Sequence, residues 1–165
     1  MTRPLYQQIK SAFELEELSL FCFGLGVEYE DLPGSGLSAR ALALQQHMQR
    51  NGRLNDLLVA LKEERRHLDL NPYLYLVVLE LFNSEPAITQ LLQQFGLPVR
   101  DFPEPEKFPW GSEAWREQKA VGLQAWAEEN GRMPQLLQQL QEKKANLSFY
   151  QLPNRPQSSQ QKKAA

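Results

Sequence analysis

The chain has 165 residues, 42 % of them hydrophobic and 23 % charged, an ordinary water-soluble composition with room for one domain or two small ones. Net charge is −2, divided as −2 over residues 1–70 (eight basic, ten acidic), −3 over 71–152 (seven and ten) and +3 over the tail, so neither half has the basic excess that nucleic acid binding demands. The longest apolar run, LYLVVL at 74–79, is far short of the ~20 residues of a membrane helix, and the single cysteine, Cys22, excludes an internal disulfide or a multi-cysteine metal site.

Helical periodicity dominates, and no segment alternates as a half-buried strand does. A first helix is expected from about Pro4 to Ala12, with Leu5, Ile9 and Ala12 on one side. A second, from about Glu14 to Phe23, opens with Glu14, Glu16 and Glu17 at the positive end of its dipole. Its apolar LSLFCF reads as a central, buried helix that Gly24 and Gly26 end. The acidic turn VEYEDLPGSG follows, and Ser38 is the expected cap of a third helix reaching Gln49. Asn51-Gly52 reverses the chain into a fourth helix, whose Leu54, Leu57, Leu58, Leu61 and Leu68 form one stripe.

The second half repeats this plan. Asn71-Pro72 opens a helix through YLYLVVLELF, and Ser84-Glu85-Pro86 starts another that ends near Phe95-Gly96. Ser112-Glu113 starts a helix with Trp115, Leu123 and Trp126, and Asn130-Gly131 turns into a last helix with Met133, Leu136, Leu137 and Leu140. NGRLNDLLVAL at 51–61 and NGRMPQLLQQL at 130–140 match at the same offsets. Upstream, FGLGVEYEDLP (23–33) is paired with FGLPVRDFP (95–103), and the extra length of the second half falls in EPEKFPWGS (104–112). The expected fold is all-α: two tandem small helical bundles packed together, residues 1–70 and 71–152, with HLDLNP as a tight junction and a disordered tail at 153–165.

No residue pattern points to catalysis. Cys22 with His47 is the only conceivable nucleophile and base, and LFCFGL is the setting of a buried, inert thiol. Two histidines and one cysteine do not make a structural zinc site, and DLPGSGLSAR lacks the lysine and spacing of a phosphate loop, so no cofactor or metal is expected. The surface remains. Glu28, Glu30 and Asp31 share one loop, Arg50 and Arg53 flank the Asn-Gly corner, and opposite charges on separate faces suit a head-to-tail contact. Phe108 and Trp110 in EKFPWG either anchor a partner or cover the local core.

The run LSLFCFGLGVEYEDLPGSGLSARALALQQHMQRNGRLNDLLVAL resembles the bacterial effector-associated, death-like domains: a leucine-rich second helix, an acidic Y-E-D-L-P-G turn, small residues opening a helix, then G-R-L and a leucine stripe. The second half is similar to a more divergent relative, with Pro98 where a second glycine would stand. This resemblance implies death-fold-like bundles of four to six helices without catalytic activity. It also implies an adaptor in bacterial defence or signalling, whose partners carry related domains on a sensor ATPase or a protease-type effector. Self-association is a further expectation, and membrane and nucleic acid are not expected partners. With no apolar signal core in MTRPLYQQIK, the expected compartment is the cytoplasm. The alternative is a rigid regulatory or structural subunit that binds an unrelated protein through the Phe108/Trp110 loop.

Overall fold

A computed structural model describes residues 3–152, and the tail at 153–165, expected to be disordered, lies outside the described residues. Among the described residues the chain is all-helical. The first half holds α1 (Leu5–Ala12), α2 (Leu15–Gly24), α3 (Leu37–Arg50) and α4 (Leu54–Glu64), with a short 3-10 turn at Tyr29–Asp31. The second holds a 3-10 turn at Asn71–Tyr73, then α5 (Leu74–Leu81), α6 (Glu85–Gln94), α7 (Glu113–Glu129) and α8 (Met133–Glu142). The most extensive helix packing in each half joins the first helix to the third, α1 on α3 and α5 on α7, while α4 on α5 joins the halves.

The helix ends follow from local chemistry. Glu14 and Glu17 form a capping box at the start of α2, with the Glu14 N–H donating to Glu17 Oε1 at 2.9 Å. Ser84 and Ser112 cap α6 and α7, accepting from the N–H of Ala87 (3.3 Å) and Trp115 (3.2 Å). Ser38 does not cap α3. That helix begins at Leu37, two residues earlier than a Ser38 cap would place it, after Gly36 at φ +88°, and Ser38 lies inside its first turn. The leucine stripe of α4 also ends sooner than the spacing suggests, because the helix stops at Glu64 and Leu68 is buried from the connecting segment instead.

The two halves share their hydrogen bonds as well as their helix order. The Arg53 N–H donates to Met48 O at 2.8 Å around Gly52, and the Arg132 N–H to Ala127 O at 2.8 Å around Gly131. Both glycines take positive φ, +65° and +68°, the left-handed turn that an L side chain disfavours. In both corners the asparagine amide donates to the carbonyl one helical turn back, Asn51 to His47 (2.7 Å) and Asn130 to Trp126 (2.8 Å).

The upstream match needs a correction of register. Gly26 and Gly96, at φ +76° and +71°, are the residues that terminate α2 and α6, each followed by a Schellman bond, Val27 N–H to Cys22 O and Leu97 N–H to Leu92 O. Gly24 thus has no counterpart in Gly96. Leu18, Phe21, Cys22 and Leu25 correspond to Ile88, Leu91, Leu92 and Phe95, all of them buried. The same register lays Asp31-Leu32-Pro33 on Asp101-Phe102-Pro103. Pro98 replaces no turn glycine, because the turn is already complete.

Alignment of α2 with α6 also shows what α2 is not. Leu20 and Phe23 are 73 % and 83 % exposed, so α2 is an outer helix and LSLFCF is not apolar for burial on all sides. The matching positions on α6 are Gln90 and Gln93, both exposed.

The junction is tight. Glu80 on α5 accepts from the Leu54 N–H (2.6 Å) and Asn55 N–H (3.3 Å), so a carboxylate of one half caps a helix of the other. Burial pushes the Glu80 carboxyl up, against the pull of those two backbone bonds. After α8 the chain returns across both halves. Asn55 and Asn146 exchange two bonds (2.6 and 2.8 Å), Asn71 and Gln151 two more (2.6 and 2.9 Å), and Phe149 is fully buried.

Candidate protein-interaction site

The acidic loop and the basic corner of the first half sit at opposite ends of one helix. Glu28, Glu30 and Asp31 precede α3 and are exposed, Arg50 is its last residue, and the Asn51-Gly52-Arg53 corner follows it. With a rise of ~1.5 Å per residue, the 14 residues of α3 separate the poles by roughly 20 Å. Arg50, in the last turn of α3, complements the negative end of the helix dipole, whereas the first turn of α3 holds no acid. Arg50 is exposed, and Arg53 holds Asp56 at 3.2 Å in a largely solvated pair. Arg66 is exposed as well, whereas Arg65 is spent internally. Its guanidinium lies 4.3 Å from the Phe13 ring centroid, donates to Ala12 O (2.9 Å) and pairs with Glu17 (3.2 Å).

What gives the acidic loop its shape is Arg40, a residue with no role in the motif reading. From the first turn of α3 it donates to Gly34 O (2.9 Å) and Tyr29 O, and its guanidinium lies 4.5 Å over the Tyr29 ring. Its counterpart in the second half is Lys119, which is fully buried. The ammonium donates to Val99 O (2.7 Å), Phe102 O (2.6 Å) and Glu106 Oε2 (2.6 Å). Val99 matches Tyr29 in the register that pairs the two Asp-x-Pro turns, so the two cations hold the same carbonyl position. The signal was present in the sequence as RALALQ at 40–45 and KAVGLQ at 119–124, each cation at the same offset before its corner glycine.

Glu106 organises the added loop around Lys119. It also accepts from the Asp101 N–H (2.6 Å) and Trp115 Nε1 (3.0 Å), and Lys119 together with these donors holds its carboxyl below the ordinary carboxylate range. Asp101, at φ +61°, returns a bond by accepting the Glu106 N–H at 3.1 Å. The two aromatic residues of the loop part company. Trp110 covers Trp115 (centroids 4.6 Å apart) and lies 5.0 Å from the Arg100 guanidinium, so it roofs the buried cation. Phe108, 38 % exposed, instead lines an open groove along α7.

Residues 5–66 match the family model of effector-associated domain 7. The first half is an effector-associated domain. The match spans α1 to α4 and stops before the junction; no curated protein and no solved structure matches the chain. Both charged poles, and Arg40 between them, belong to the effector-associated domain, whereas Phe108 and Trp110 lie outside it. Membership implies protein–protein interaction as the general role of this half.

Within the effector-associated domain, Cys22 is fully buried and burial pushes its thiol up to about 11, against a smaller pull from Arg40. At neutral pH that sulfur is a protonated, water-excluded thiol, the opposite of an activated nucleophile. Among the described residues no group of three His, Cys, Asp or Glu could hold a metal ion, and no helix is long and apolar enough to cross a membrane.

Proposed function

We propose that this protein is a non-enzymatic adaptor that couples a sensor to an effector in a bacterial defence or signalling system. Its effector-associated domain makes head-to-tail contacts with related domains through the two poles of α3, and residues 71–152 act as a second, divergent domain of the same kind. The observation that carries the reading is the placement of Glu28, Glu30 and Asp31 at one end of α3 and Arg50 and Arg53 at the other, inside the segment that matches the family. A contact between unlike poles leaves one free pole on each partner, so the same surfaces serve self-association and pairing with a related domain on another protein. The buried, proton-bearing Cys22 supports the non-enzymatic part, and the proposed site of action is the cytoplasm.

Light-scattering mass across a concentration series tests this reading. Mass is expected to rise with concentration, alone or with a partner that carries a related domain, and to fall back with added salt as exposed charges are screened. Reversal of Arg50 and Arg53 to glutamate is expected to remove the association. An association that ignores both salt and the reversal would contradict the proposal.

A further inference from the structure

The second half presents an open groove along α7. Its apolar lining comes from Phe102, Pro103, Phe108, Val121 and Trp126, and its volume is about 630 Å³. Val121 is 44 % exposed, and the Pro103 ring lies so close to Gly122 that a β-carbon there would meet it at 2.5 Å. The charged residues lining the groove are all acidic: Glu104, Glu117 and Glu129. A second depression of about 690 Å³ shares Val121 and Ala125 with it and adds Asp69 and Glu128. The two adjoin at the exposed Val121 and Ala125 and make a two-part track on α7, with apolar and acidic residues in both linings.

The same face of α3 shows that this is particular to the second half. In the register set by the two corner glycines, Glu117, Glu128 and Glu129 stand where α3 has Ser38, Gln49 and Arg50, while apolar Val121 keeps an apolar counterpart in Leu42. The added loop, fixed by Lys119 and Glu106, supplies Phe108 as a wall, so the groove is built before any partner arrives. Of the acids, Glu104 has a surface partner in Lys107 (2.8 Å) and Glu128 accepts from Gln124 (3.1 Å). Glu117 and Glu129 are exposed carboxylates in no ion pair among the described residues.

We propose that this track is a docking site for a basic amphipathic peptide segment of a partner protein, with apolar side chains seated between Phe108, Val121 and Trp126 and lysine or arginine on Glu117 and Glu129. Charge complementarity selects the occupant. An acidic or neutral segment would leave the carboxylate rim opposed or unpaired, and an elongated two-part track suits a peptide better than a compact small molecule. This site differs from the poles of α3, so one protein can hold a related domain with its first half and a linear segment with its second.

The test is fluorescence anisotropy of the full chain with a labelled amphipathic lysine–leucine peptide, and with a glutamate–leucine peptide of the same spacing. The lysine–leucine peptide is expected to bind and the acidic one not. Glu117→Lys with Glu129→Lys is expected to weaken binding at least tenfold, and Val121→Ser severalfold. The control Glu16→Gln with Glu63→Gln, which removes two exposed acids elsewhere, is expected to leave it unchanged. Equal binding to the charge-reversed chain and the wild type, equal loss in the control, or no binding at all would overturn the proposal. Circular dichroism melting of each variant separates a lost site from a lost fold, and all the substituted positions are exposed.

Discussion

Arg40 and Lys119 occupy the same place in the two halves and solve the same problem at different depths. Each reaches back from the first turns of its helix to the carbonyls of the loop before it. Arg40 does so half-exposed beside Tyr29 and supports a short acidic turn. Lys119 does so with no exposure, and its charge is balanced by Glu106 at 2.6 Å under the rings of Trp110 and Trp115. The difference teaches how a loop can grow without coming loose. An added segment must bring its own anchor, and here the anchor is a carboxylate that also collects the Trp115 and Asp101 N–H groups.

The largest test of that contrast is to remove both cations in turn. Lys119→Met leaves two carbonyls and the partly exposed Glu106 carboxylate without their donor and is expected to cost about 2–4 kcal/mol in urea unfolding. Arg40→Met removes solvated bonds and is expected to cost only about 1 kcal/mol. Equal losses would show that the second loop is not held as described.

The next test exchanges the packing residues that follow. Gly122 lets Pro103 approach α7, and the corresponding Ala43 is buried with its methyl accommodated. Gly122→Ala is expected to cost about 1–3 kcal/mol by displacing the Pro103 ring, and Ala43→Gly about 1 kcal/mol through helix propensity and a lost methyl.

A pH series sharpens the comparison further. The lowered carboxyl of Glu106 contributes stability that is full above its ordinary value of 4.5 and lost as pH falls through its folded value. Glu80 runs the other way. Its raised carboxyl binds its proton more tightly folded than unfolded, so its contribution is full below 4.5 and lost as pH rises through the folded value. Urea midpoints between pH 3 and 7 are expected to show a shallower acid loss in Glu106→Gln and a smaller decline at the upper end in Glu80→Gln.

The smallest effect is expected on α2. Leu20→Gln with Phe23→Gln copies the Gln90/Gln93 face of α6 and is expected to change stability by no more than about 0.5 kcal/mol, because both side chains are already in water.

Much of this was legible in the residues. The Asn-Gly corners, the serine caps of α6 and α7 and the leucine stripes announce themselves because each depends on neighbours within a turn or two. The register of the glycine turns was harder, since Phe-Gly-Leu occurs at both ends with the glycine in different roles; the offset shared by the two Asp-x-Pro turns settles it. The exposure of Leu20 and Phe23 was hidden, because an apolar run carries no mark of which side faces the core. The site was half legible. Charge placement showed the poles of α3, but Lys119 reads as an ordinary surface lysine until its partner Glu106, from across a proline-rich loop, is seen beside it.

The central claim is that unlike poles of α3 meet. It is tested most directly by mixing two full-length variants, Arg50→Glu/Arg53→Glu and Glu28→Lys/Glu30→Lys/Asp31→Lys, and measuring mass by light scattering. Each variant alone has two poles of like sign and is expected to stay monomeric, while the mixture is expected to form heterodimers or larger assemblies that salt dissolves. If the mixture stays monomeric while the wild type assembles, or if either variant assembles alone as the wild type does, the poles are not the contact.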